Sequence, residues 1–108
     1  MGKSLTETEE SSSSTYTIEL TQEAFKQLKE IKKNGLPSVK KRLERIFAEI
    51  AINPMDSNGF ASAEKLKHFP NNEIWSRELS KKDRVVYEVF EDEKTVLVSR
   101  LLGHYFDK

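Results

Sequence analysis

The chain has 108 residues, enough for one domain, with 36% hydrophobic and 33% charged side chains, which allows a modest core under a heavily charged surface. It has no cysteine, which excludes disulfides, thiolate nucleophiles and thiolate metal sites, and its two histidines, His68 and His104, are fewer than a zinc site ordinarily uses; no metal or cofactor is expected. A formal net charge of zero argues against a generally basic nucleic-acid binder and leaves room only for a local basic patch.

Residues 1–15 (MGKSLTETEESSSST) are polar and too poor in apolar surface to offset the entropy of ordering, so a disordered leader or a cloning remnant is expected ahead of a domain over 16–108. That domain carries 17 basic and 15 acidic side chains, a small positive bias. No apolar run approaches the ~20 residues of a membrane-spanning helix, and the N-terminus lacks the basic-then-apolar order of a secretory signal. The expected compartment is the cytoplasm, with no membrane partner.

Residues 16–20 (YTIEL) alternate as a half-buried strand does. Thr21 stands where a helix N-cap belongs, with Phe25, Leu28 and Ile31 at helical spacing and Asn34-Gly35 as the stop. A second helix starts at Pro37-Ser38, where Val39, Leu43, Ile46, Phe47 and Ile50 line one face, and ends by Asn53-Pro54. Its other face carries Lys40, Lys41, Arg42 and Arg45; a solvated face is the plainer reading, an RNA-backbone or partner contact the alternative. Loop composition runs to about Ala63. Three strands follow, at 74–79, 84–90 and 95–102, joined by short polar turns that imply consecutive antiparallel hairpins. The order β-α-α-β-β-β predicts an α+β domain: an antiparallel sheet with both helices packed on one face and the other face open.

Four fragments stand out in order: Ala63-Glu64-Lys65-Leu66-Lys67, Ile74-Trp75-Ser76-Arg77-Glu78-Leu79, Asp83-Arg84-Val85-Val86-Tyr87 and Gly103-His104-Tyr105. Together they resemble the YoeB branch of the RelE-like toxins, bacterial ribosome-dependent messenger-RNA endonucleases held inactive by an antitoxin. The family pattern reads approximately P-E-x-L-K, W-S-R-R-I, H-R-L-V-Y and a terminal H-Y. The resemblance covers residues 58–105 well, and the helical half agrees in arrangement more than in residues. It implies a RelE-like fold, Glu64 as general base, His104 as general acid with Tyr105 beside it, Arg84 and Lys67 on the phosphate, and Arg77 at a basic position near the substrate. It also implies a cognate YefM/Phd-like antitoxin, ribosome and message as partners, operator DNA only through the antitoxin, and inhibition of translation as the outcome.

The chemistry suits these residue types. The RNA 2′-hydroxyl can attack its own adjacent phosphate, so an enzyme need only take one proton, give another and stabilise added negative charge, with no metal. Three departures from the pattern are visible: Glu78 replaces a second arginine after Trp-Ser-Arg, residues 57–63 (SNGFASA) replace a glycine- and proline-rich lead-in, and Phe106-Asp107-Lys108 extend past the tyrosine. Trp75 and Tyr87 could stack a base, but at alternating strand positions they read as packing residues, and His68 reads as a surface histidine. The competing function is a non-catalytic binding protein on the same scaffold, either gyrase-directed or a degenerate toxin that only holds its antitoxin. Retention of Glu64, Arg84 and His104 together favours the enzyme.

Overall fold

The computed structural model describes residues 15–67 and 71–103; the expected leader up to residue 14, His68, and the His104-Tyr105 pair lie outside the described residues. Among those described, the elements are β1 (Thr17–Leu20), α1 (Gln22–Asn34), α2 (Pro37–Ile50), β2 (Glu64–Lys65), β3 (Ile74–Glu78), β4 (Arg84–Phe90) and β5 (Thr95–Arg100).

Helix α1 begins as its sequence requires. The Thr21 hydroxyl accepts from the Ala24 backbone N–H at 3.1 Å, a cap contributing about 1 kcal/mol. Lys32 and Lys33 in the last turn complement the helix dipole. The buried stripe differs from expectation: Ala24 and Ile31 are buried and Leu28 is partly so, whereas Phe25 is 51% exposed, with the Lys29 ammonium over its ring. Position 24 stands at the i, i+4, i+7 spacing with Leu28 and Ile31, so a small residue takes the core and the aromatic one is turned outward. Gly35 ends the helix in an extended conformation, and its lack of a side chain matters for space: a Cβ there would lie 2.6 Å from the Ile31 carbonyl oxygen. Helix α2 starts with Pro37 at its first turn and buries Leu43, Ile46 and Ile50.

The sheet has five strands in the order β1-β5-β4-β3-β2. The three hairpin strands pair antiparallel as expected, but β1 lies parallel to β5, so the sheet is mixed rather than wholly antiparallel. Parallel pairing sets Ile18 against Val96 and Leu20 against Val98, and lets Thr21 bond the Val98 carbonyl as the chain turns into α1, which packs back over β5. The two-residue β2 pairs antiparallel to β3 at the far edge, ahead of the three expected strands. Propensity had little to act on in so short a segment.

Cross-strand register sorts the side chains. Trp75, Arg77, Val85, Tyr87, Val89, Val96 and Val98 share the face that meets α1 and α2, and all are buried. Glu64, Ser76, Glu78, Arg84, Val86 and Arg100 share the other. The β4–β5 register shifts between Val86 and Tyr87: Tyr87 faces Val98 while Val86 faces Arg100, leaving Ser99 unpaired in the ladder. The extra residue returns Leu101 to the core face, where it is fully buried, despite its odd spacing from Val98.

Candidate active site

Arg84 opens β4 on the face away from the helices, with its side chain 25% exposed. Two groups orient the guanidinium: its Nε donates to the Ser76 hydroxyl at 3.1 Å, and one terminal nitrogen points at the Ser62 carbonyl at 3.5 Å. That same nitrogen lies 3.7 Å from a Glu64 carboxylate oxygen, and Glu64 is 62% exposed. Neither Asp83 nor Glu88 pairs with Arg84; Asp83 is engaged with Ser80 and Gly103, and Glu88 with Asn72. A carboxylate and a forked cation therefore stand side by side on an open sheet face, the cation held by its own strand neighbour. Glu78 is the direct cross-strand partner of Arg84, so the residue that departs from the family pattern adds a negative charge beside the cation.

The lead-in to Glu64 is shaped by two consecutive left-handed residues, Ala61 (φ 71) and Ser62 (φ 55). Neither is glycine, and each such conformation costs about 1 kcal/mol or more. What offsets that cost is visible in three successive carbonyls: Phe60 O accepts from Arg77, Ala61 O from the Glu78 backbone N–H at 2.6 Å, and Ser62 O from Arg84. The lead-in to the carboxylate is thereby fastened to β3 by two carbonyls and to the Arg84 guanidinium by the third.

The end of β5 is brought to the same place. Leu101 and Leu102 backbone N–H groups both donate to the Gln27 side-chain oxygen, at 2.7 and 3.0 Å, and the Gly103 N–H donates to Asp83 at 2.6 Å. The Arg84 backbone N–H in turn reaches the Gly103 carbonyl at 3.4 Å. Gly103 adopts φ +90, where a side chain would be strained, and it is the residue before His104. Sequence reading missed Ser76, Asp83 and Gln27. Strand alternation carried a signal for Ser76, which stands on the face opposite Trp75.

Arg77 is corrected. It was expected near the substrate, but it is fully buried on the helix-facing side, and its donors are taken by the Tyr87 hydroxyl (3.0 Å), the Phe60 and Asn53 carbonyls (2.9 and 3.0 Å) and the Glu49 carboxylate. Burial without those partners would cost several kcal/mol. Gly59 makes room for the arrangement: a Cβ there would fall 3.0 Å from both the Arg77 and Glu49 side chains. Tyr87 donates to the Pro54 carbonyl at 2.7 Å, and its pKa is pushed up to about 12, chiefly by burial, against the attraction of Arg77. Trp75 and Tyr87 are core residues, as read from their alternation. Lys67 is exposed, just past β2, and among the described residues it forms no ion pair with Glu64 or Arg84. Those residues also hold no cluster of three metal-ligating side chains, and no helix among them is long and apolar enough to cross a membrane.

One strand, two helices and a four-stranded antiparallel extension make this a RelE-like α+β fold. Within it, the solved structures that superpose include YoeB-type ones. A YoeB/ParE toxin from Agrobacterium tumefaciens matches with a TM-score of 0.72 at 18% identity, over 82% of this chain and 99% of that one. The YoeB–YefM complex from Staphylococcus aureus gives 0.68 at 23% identity, over 83% and 98%. The archaeal RelE–RelB complex from Pyrococcus horikoshii OT3 gives 0.66 at 17% identity, over 86% and 99%. At these identities the likeness is one of fold. No family model and no curated protein matches the chain.

Proposed function

We propose that this chain is the toxin of a toxin–antitoxin pair and cleaves messenger RNA on the ribosome by metal-free acid–base chemistry. The observation that carries the reading is Arg84, held by Ser76 beside Glu64 on the open face, with the residue before His104 bonded to its backbone. Glu64 takes the 2′-hydroxyl proton, Arg84 and Lys67 stabilise the phosphate as negative charge builds, and His104, with Tyr105 adjacent, protonates the departing 5′-oxygen. The products are a 2′,3′-cyclic or 3′-phosphate and a 5′-hydroxyl. A neutral chain suits an enzyme whose affinity for message comes largely from the ribosome. The antitoxin lays an extended or helical segment over the open face, with acidic side chains near Arg84. That the YoeB and RelE neighbours are found in complexes with YefM and RelB supports an antitoxin as partner.

The test is end-mapping of a reporter message in a cell-free translation system with wild type, Glu64→Gln and His104→Ala. Cuts with 5′-hydroxyl ends on translated message, lost in both variants, are expected. Undiminished cutting by His104→Ala removes the acid. Efficient cleavage of free RNA with untouched polysomal message removes the ribosome dependence.

A further inference from the structure

A second cationic feature lies on the helix side of the molecule. The Arg45 and Arg42 guanidiniums stand 3.9 and 5.0 Å from the centre of the Phe60 ring, and Arg42 also donates from Nε to the Glu78 carbonyl at 2.8 Å. These residues line a shallow depression of about 510 Å³ together with Lys41, Ser38 and Ser80. Among the described residues no carboxylate comes within ion-pair distance of either arginine. Two like charges gathered on one ring and left without a counter-charge raise the local potential, and the ring offsets only part of the repulsion. The chain is neutral overall, so this concentration stands out from the average.

We propose that Arg42, Arg45 and Phe60, with Lys41, form a docking site for an RNA strand, distinct from the cleavage site and used for affinity rather than chemistry. The identity of the ligand as RNA rests on the function proposed above. Guanidinium forks bind phosphate and carboxylate alike, but a guanidinium stacked on a ring leaves a flat outer face on which a nucleobase can stack, and the Asp and Glu side chains of an acidic peptide carry no ring to place there. The position agrees with this. Arg42 holds the carbonyl of Glu78, and Glu78 faces Arg84 across the ladder, so the depression begins at the strand end that carries the cleavage site. The solvated-face reading of α2 does not account for both arginines converging on Phe60.

The experiment measures binding of the full chain to a fluorescent 2′-O-methyl RNA oligomer, which cannot be cleaved because the attacking hydroxyl is blocked. Arg45→Gln is expected to weaken binding roughly three- to tenfold and to lower the slope of log affinity against log salt by about one. Arg45→Lys restores the slope but only part of the affinity, since it keeps charge and loses the stack. Because Arg42 also supports the Glu78 carbonyl, Arg45 carries the test, and Phe60→Leu supplies a second variant that leaves every charge in place. Unchanged RNA affinity in both Arg45→Gln and Phe60→Leu overturns the proposal. So does a loss confined to a polyglutamate peptide, which would assign the site to an acidic protein partner. Failure of the nuclease reading would show in the end-mapping and leave these binding curves as they are.

Discussion

Arg77 and Arg84 sit on neighbouring strands, one residue apart in register, and point to opposite faces of the same sheet. Arg77 is sealed against the helices with its donors directed at Tyr87, Glu49 and two loop carbonyls; Arg84 is held by one serine and one carbonyl and keeps a quarter of its side chain in solvent. Both touch the same loop, Arg77 through Phe60 and Arg84 through Ser62. The same side chain thus serves as a fastener where every donor has a protein partner, and as a candidate ligand for phosphate where some do not. Donor occupancy, more than residue type, separates the two roles.

If that is right, the buried arginine governs folding and the open one governs activity. Arg77→Ala should be the most damaging change, costing roughly 3 to 5 kcal/mol, because it leaves the Glu49 carboxylate and two carbonyls without their partner and opens a cavity. Urea unfolding should show the midpoint collapse. A variant as stable as wild type would erase the distinction between the two arginines.

The same buried cluster predicts an alkaline limit. Tyr87 holds its proton up to a pKa of about 12 in the folded chain, against 10.0 for a free tyrosine. The folded state therefore binds that proton more tightly; the stabilisation is complete below pH 10 and is lost as the pH rises toward 12. Two pKa units correspond to about 3 kcal/mol at most. Unfolding free energies from about pH 9 to 12 should fall along this curve for wild type, and Tyr87→Phe should flatten the fall while starting lower for want of its bonds to Arg77 and Pro54.

On the open face the expected loss is one of rate. Arg84→Ala should lower message cleavage at least about a hundredfold, equivalent to about 2.7 kcal/mol of transition-state stabilisation, while its unfolding midpoint stays near wild type. An Arg84→Ala chain that cuts normally would leave Glu64 without its cationic neighbour and end the phosphate role assigned to that face.

Much of this contrast was already legible. The N-cap at Thr21, both helices, three hairpin strands and the core roles of Trp75 and Tyr87 follow from local spacing, because each rests on residues only a few positions apart. The burial of Arg77 was legible too: strand alternation puts it on the face of Trp75, and motif likeness drew it to the substrate instead. The parallel β1–β5 pairing, the brief β2 and the bulge at Ser99 were not. They depend on contacts between residues far apart in the chain, and a register slip of one residue leaves no local mark. Likewise Gln27 and Asp83 read as surface polar residues until the end of β5 is laid against them.

The smallest expected effect tests how the open arginine is aimed. Ser76 is almost fully buried, and its hydroxyl accepts from Arg84 Nε at 3.1 Å. Removing it in Ser76→Ala deletes one hydrogen bond, worth about 1 kcal/mol, and frees the guanidinium to turn toward Glu64 or Glu78. Cleavage should drop roughly fivefold, with the loss in kcat rather than KM if orientation matters more than charge, since the charge remains. Ser76→Thr keeps the hydroxyl and should recover most of the rate. If alanine and threonine fall equally, the defect lies in packing beside Val86, and Arg84 owes its geometry to the Ser62 carbonyl and Glu64 alone.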